Sequence, residues 1–290
     1  MIPTRPLEFL DSTYFSTVKL PPLDWLLEGV WVHGDKAIAA GETDSLKSFI
    51  LPHLALHIAA GKQWLGFPVP KPRSVLYVDE EMNKIELTRR INRLMLGAGL
   101  QWPLPFAAIN KQGMRLSIPH CARLLQEAQQ RGLDPDIIIL DTLARVLVGD
   151  ENSAASIADM WRVCNFLGTE GKPRTIVLVH HLTKPYEGPG KPRSDFWRTR
   201  GSGDILGGTD SQVGISRNRD KESTTDSVSQ VSLNKMRARK PQPPFELRLR
   251  SVDPRDDDSP LLLERLDVAN LGPRKEYPPP PRGNPFTIPI

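Results

Sequence analysis

The sequence predicts an α/β fold: a mainly parallel, twisted sheet flanked by helices, with antiparallel strands added at one edge. Three observations predict it. The apolar runs Val75-Leu76-Tyr77-Val78, Ile137-Ile138-Ile139-Leu140 and Ile176-Val177-Leu178-Val179 carry no polar alternation, as expected of strands covered on both faces. Amphipathic helical patterns separate them, and that alternation gives a parallel sheet with right-handed crossovers. Beyond residue 205 the texture changes: residues 211–216, 227–234, 245–250 and 261–266 mostly alternate, the pattern of antiparallel hairpins.

Taken in order, residues 1–20 read as an N-terminal arm, 21–271 as the folded domain, and 272–290 as a Pro-rich flexible tail holding Pro278 to Pro281, Pro285 and Pro289. A short strand, Ala37-Ile38-Ala39-Ala40, leads through a loop into a helix. Pro52 falls inside that helix and is expected to kink its second turn. Asn83 with Glu86 forms a capping-box pattern opening a helix to about residue 97. Ser117 is placed to cap the next, with Ile118, Cys121, Leu125 and Ala128 on one face. A third helix starts near Ser153 and turns Ile157, Met160, Cys164 and Leu167 inward.

At 290 residues and 39% hydrophobic content the chain can bury a real core. A net charge of +4 with pI near 9.1 is compatible with a polyanionic partner without requiring one. The only two cysteines, Cys121 and Cys164, fall on apolar helical stripes and read as core thiols. No apolar run reaches membrane-spanning length and the start lacks a signal-peptide pattern. The expectation is a cytoplasmic protein without a membrane partner.

Gly41-Glu42-Thr43-Asp44-Ser45-Leu46-Lys47-Ser48 sits between strand and helix, with Lys-Ser six residues after the first Gly. In such a loop, backbone N–H groups and the helix N-terminus converge on an anion. Gly41, Glu42, Thr43, Asp44, Ser45, Leu46, Lys47, Ser48 and Phe49 are the candidate nucleotide-binding residues, with Lys47 on the β/γ-phosphates and the Ser48 hydroxyl on Mg²⁺. Leu46 stands where the pattern has Gly. The reading requires it to keep a negative φ and turn its side chain away; the alternative is a loop that no longer holds a triphosphate.

Ligands of open α/β sheets bind beyond the carboxyl ends of the strands, where this chain places polar residues. Asp141 follows four apolar residues, as a Mg²⁺-holding carboxylate does, or as a turn Asp does. Asp79-Glu80-Glu81 offers a carboxylate to orient water, or a solvated acidic turn. His180-His181 offers a γ-phosphate contact or a core histidine; a zinc pair lacks a third ligand at metal spacing.

These motifs occur in the order found in RecA-like ATPases, and the chain resembles the branch holding plasmid RepA-type helicases and related phage and mobile-element ATPases. Residues 21–25 (Pro-Pro-Leu-Asp-Trp), Asp141-Thr142-Leu143-Ala144-Arg145 and Asp150-Glu151-Asn152-Ser153 carry the likeness further, over about residues 20 to 250. The resemblance implies a RecA-like core, ATP and Mg²⁺ as cofactors, and Ser48 and Asp141 as metal residues. It implies Glu81 as catalytic carboxylate, with Glu80 second, and His181 as γ-phosphate sensor. Lys235-Met236-Arg237 matches a Lys-x-Arg that enters the neighbouring subunit's site, with Arg237 as arginine finger; a solvated basic edge is the alternative. It also implies a homo-oligomer, either a ring (a hexamer in the first reading) or a filament.

In such proteins the loop after the sensor strand faces DNA. Here residues 183–203 hold Lys184, Lys191, Arg193, Arg198 and Arg200 with Tyr186, Phe196 and Trp197. Cations and aromatics together neutralise phosphates and stack bases, so Lys184, Lys191, Arg193, Trp197, Arg198 and Arg200 are the candidate contacts to single-stranded DNA. A plain surface loop is the competing reading. The function expected first is a replicative helicase. The alternatives are a recombinase or recombination mediator of a mobile element, or a nucleotide-gated scaffold with little hydrolysis.

Overall fold

The computed structural model describes residues 9–182 and 203–266. Its elements are α1 (Ser12–Thr17), β1 (Trp25–Leu27), β2 (Trp31–Val32), β3 (Lys36–Gly41), α2 (Lys47–Ala60), β4 (Val75–Asp79), α3 (Lys84–Gly97), β5 (Phe106–Asn110), α4 (Ile118–Gln130), β6 (Ile137–Asp141), α5 (Leu143–Val146), α6 (Ala154–Thr169), β7 (Thr175–His181), α7 (Asp204–Gly207), β8 (Ser211–Arg217), β9 (Asp226–Met236), β10 (Phe245–Ser251) and β11 (Leu261–Arg265). A nine-stranded sheet runs in the order β11-β10-β9-β8-β3-β7-β6-β4-β5. The strands from β8 to β5 in that order are parallel, and β9, β10 and β11 extend the other edge as antiparallel hairpins.

The continuous apolar strands make physical sense because successive side chains point to opposite faces. Ala37, Val75, Tyr77, Ile137, Ile139, Val177 and Val179 pack into one core with α2 and α3. Ile38, Leu76, Val78, Ile138, Leu140, Ile176 and Leu178 pack into a second core with α4, α5 and α6. The antiparallel strands feed the first core alone, through Val231, Leu233, Phe245, Leu247, Leu249, Leu261 and Leu263. A single buried face is why their sequences alternate.

Helix starts follow the sequence with amendments. The Asn83 side chain accepts the Glu86 N–H at 2.9 Å, but the Glu86 carboxylate pairs with Arg90 at 2.9 Å instead of closing the capping box. Ser153 accepts from Ser156, whereas Ser117 flanks α4 without a side-chain bond. Cys121 and Cys164 are buried, and burial pushes both thiols up to about 12. α2 continues through Pro52 as one helix. β5 (Phe-Ala-Ala-Ile-Asn) was not expected from the sequence: it is a half-exposed edge strand with neither an apolar run nor an alternation.

α1 has no buried residue; its N-cap Asp11 accepts the Tyr14 N–H at 2.8 Å, and Phe9, Leu10 and Phe15 are exposed beside it. Among the described residues no helix is long and apolar enough to cross a membrane.

Candidate functional site

Strand register brings the candidate residues to one edge. Asp79 lies opposite Asp141 across β4 and β6, and Gly41 opposite His181 and Ile215 across β3, β7 and β8. The loop from Gly41 to Ser48 rises over that edge and enters α2, the central helix of the first core.

Gly41 is required by space: a Cβ there would stand 2.5 Å from the Ile215 carbonyl oxygen and 2.5 Å from Ser45 Oγ. Lys47 is buried, and its ammonium donates to the carbonyls of Gly41 (2.9 Å) and Glu42 (2.6 Å) and approaches Ser45 Oγ at 3.4 Å. Burial pushes this lysine down to about 8, against the opposing pull of Asp141 and Glu81. Thr43 and Asp44 form the exposed crest of the loop.

Leu46 differs from the expectation. Its φ is +67°, the left-handed region, and Asp44 is at +62°. The loop therefore keeps the backbone that a glycine would supply, with leucine adopting it. A non-glycine residue in this region costs about 1–2 kcal/mol. The Leu46 side chain packs into the first core, and burying a leucine contributes about 1.5–3 kcal/mol, which offsets the strain. The side chain does turn inward, so half of the expectation holds and the backbone half is corrected.

Asp141 is 4% exposed and accepts the Tyr77 hydroxyl at 2.6 Å. Burial above all, then the neighbouring Asp79 and Glu81, push its carboxyl up to about 7, while the Tyr77 hydrogen bond and Lys47 pull it down. The peptide after it, Asp141–Thr142, is cis.

The two adjacent glutamates separate by geometry. Glu80 accepts the backbone N–H groups of Gln112 (3.1 Å), Gly113 (3.1 Å) and Met114 (3.0 Å), so it ties down the loop after β5. Asp79 accepts the N–H groups of Glu81 and Met82, each at 2.8 Å, and so sets the turn. Glu81 is left facing the site: the Thr142 hydroxyl donates to it at 3.1 Å and His181 Nε2 lies 3.6 Å away. The His181 contact, with Thr142, holds its carboxyl below the usual carboxylate range. His180 is buried in the strand.

The antiparallel extension supports the loop from behind. Ser229 Oγ donates to the Ser45 carbonyl at 2.9 Å, and Arg217 reaches the Asp44 carbonyl at 3.4 Å while paired with Glu222 at 2.6 Å. Phe49 carries the Arg90 guanidinium 4.0 Å over its ring. Sequence reading missed Tyr77, Thr142, Ser229 and Arg90 in these positions.

Lys235 and Arg237 are not gathered here. Arg237 pairs with Asp210 at 2.9 Å, and Asp210 caps the start of β3 by accepting the Lys36 N–H at 2.8 Å. Six residues of strand separate that point from Gly41, roughly 17 Å. Arg237 therefore does not serve the site of its own chain. Lys184, Lys191, Arg193, Trp197, Arg198 and Arg200 lie outside the described residues. Among the described residues no cluster of three or more His, Cys, Asp or Glu side chains is arranged to hold a metal. A cavity of about 540 Å³ lies away from this edge, between α3, α4 and β5.

A family model described as AAA domain matches residues 3–187, more than half of the chain. No curated protein matches. Among solved structures, the ATPase domain of a phage helicase aligns with a TM-score of 0.56 at 15% identity, over 81% of this chain and 86% of that one. The flagellar accessory protein FlaH from Methanocaldococcus jannaschii aligns at 0.44 and 14% identity, over 74% and 85% of the two chains. The KaiC-like protein PH0186 from Pyrococcus horikoshii aligns at 0.46 and 13%, over 84% and 95%. At such identities the likeness to the phage ATPase domain speaks for the fold. The chain belongs to the AAA-domain family, and its core is a RecA-like P-loop ATPase fold.

Proposed function

Proceeding from that membership, we propose that the protein binds and hydrolyses ATP and works on DNA as a homo-oligomer, in the first instance as a RepA-like replicative helicase. One observation carries the reading: Lys47, Asp141 and the Glu81–Thr142–His181 group stand together at one strand edge beneath a loop of phosphate-binding shape.

The residues divide the work as follows. Loop N–H groups and the first turn of α2 receive the phosphates. The Lys47 ammonium exchanges its carbonyl partners for phosphate oxygens. Glu81, held ionised, accepts a proton from the attacking water and aims it at the γ-phosphate. Thr142 fixes the Glu81 rotamer, and His181 senses the γ-phosphate and relays its presence to residues 183–203. The donor set fits Mg²⁺: hard oxygens from Ser48 and Asp141, in an acid cluster whose crowding raises the Asp141 pKa in the absence of a cation. Bound there, the ion supplies charge neutralisation on the phosphates.

In this reading Arg237, with Lys235 beside it, acts in the neighbour's site. Its distance from its own loop supports that arrangement. A finger in trans is worth on the order of 10³ or more in rate, so a lone subunit hydrolyses slowly. The cations and aromatics of residues 183–203 support single-stranded DNA as the partner. Leu46 in a glycine-like conformation favours a working loop over the low-turnover scaffold. The test is ATP turnover of wild type and Glu81→Gln with and without single-stranded DNA. DNA-stimulated turnover lost in the variant supports the reading, and equal negligible rates overturn it. Unwinding against strand-exchange assays then separates helicase from recombinase.

A further inference from the structure

Pro52 has no N–H, so the Ser48 carbonyl one turn earlier lacks its regular helical donor. That carbonyl belongs to the first turn of α2, beside the hydroxyl read above as a Mg²⁺ ligand. Arg90 of α3 takes the vacant place. Its Nη1 donates to the Ser48 carbonyl at 3.4 Å, its plane lies 4.0 Å over the Phe49 ring, and its Nη2 is held by Glu86 at 2.9 Å. The guanidinium is 13% exposed. A charged donor in a half-buried position binds more strongly than a neutral one, and stacking on an aromatic face removes the freedom that would let it wander.

The geometry points to Arg90 as a positioning residue for the phosphate-binding turn. It stands in for the hydrogen bond that Pro52 removes and fixes Ser48 and Phe49 against α3, the helix that follows the acidic turn of Glu81. The assignment rests on the nucleotide reading for its functional consequence, and not for its structural one.

A two-by-two set of variants tests it: wild type, Pro52→Ala, Arg90→Met, and both together. Pro52→Ala restores the N–H, so Arg90 becomes dispensable for that carbonyl. In nucleotide-free protein, Arg90→Met should speed amide exchange in the first turn of α2 by about tenfold, the weight of one hydrogen bond to a charged group. The double variant should return to the Pro52→Ala rate. With a fluorescent ATP analogue and Mg²⁺, Arg90→Met should weaken binding about tenfold and raise KM while leaving kcat nearly unchanged, and Pro52→Ala should again repair the loss. An Arg90→Met effect of the same size in both backgrounds would overturn the assignment, as would no effect in either. If wild type binds no nucleotide, the proposed function fails while the exchange measurement still decides the role of Arg90.

Discussion

The parallel and antiparallel halves of the sheet differ in how they are covered. The parallel strands are apolar on both faces because helices pack on both. Their polar residues are therefore displaced to the strand ends, where Asp79, Asp141 and His181 collect. The antiparallel strands bury one face only and scatter polar residues along their length. Ser229 in mid-strand reaches back to the loop, and Lys235 and Arg237 sit at the far end. Burial on both sides concentrates chemistry at an edge; burial on one side leaves a surface for support and for neighbours.

Lys47→Ala and Glu81→Gln, in the parallel half, should each lower ATP turnover by about 10³ or more, measured as phosphate release at saturating nucleotide. Retained turnover would dissolve the distinction between the halves. In the antiparallel half, Arg237→Ala should approach the same loss. Mixed with Lys47→Ala protein, it should recover part of the activity, since intact sites form between unlike subunits. No recovery at any ratio would confine Arg237 to its own chain.

Asp141 offers a stability test. Its folded pKa is raised to about 7 from 3.8, so the folded state holds the proton more tightly than the unfolded. The stabilisation from that proton is full below about pH 4 and is lost as pH rises through 7. Asp141→Asn should therefore melt above wild type at pH 8, by up to a few kcal/mol, and the difference should vanish near pH 4. A gap independent of pH would contradict the buried, crowded carboxyl.

Two smaller effects sharpen the contrast at the loop. Leu46→Gly relieves about 1–2 kcal/mol of strain and forfeits a buried side chain of larger worth, so it should melt lower by about 1–2 kcal/mol while still binding nucleotide. Ser229→Ala removes one buried donor and should cost about 1 kcal/mol, felt as slightly weaker nucleotide binding. A larger loss from Ser229→Ala than from Lys47→Ala would reverse the ranking of the halves.

Much of this was legible in the sequence where a local rule applied. Residues 137–140 announce a strand covered twice, and Asp141 its polar end. β5 was invisible because Ala107 and Ala108 at a sheet edge have neither run nor period. The choice of Glu81 over Glu80 came from the family pattern; the physical reason, three backbone N–H groups already claimed by Glu80, needed the fold. The same holds for partners far apart in the chain: Tyr77 and Asp141 are 64 residues apart, Thr142 and Glu81 61, and Ser229 and Ser45 184. The conformation of Leu46 was misjudged because composition states a preference for φ, whereas the core behind the loop decides it.

The central claim is that a loop bearing leucine at its glycine position holds a nucleoside triphosphate. Calorimetric titration of wild type with MgATP, beside Lys47→Ala, tests it most directly. The account predicts saturable heat near one nucleotide per chain that disappears in the variant. Absence of heat in wild type, or an identical isotherm in both proteins, would contradict it.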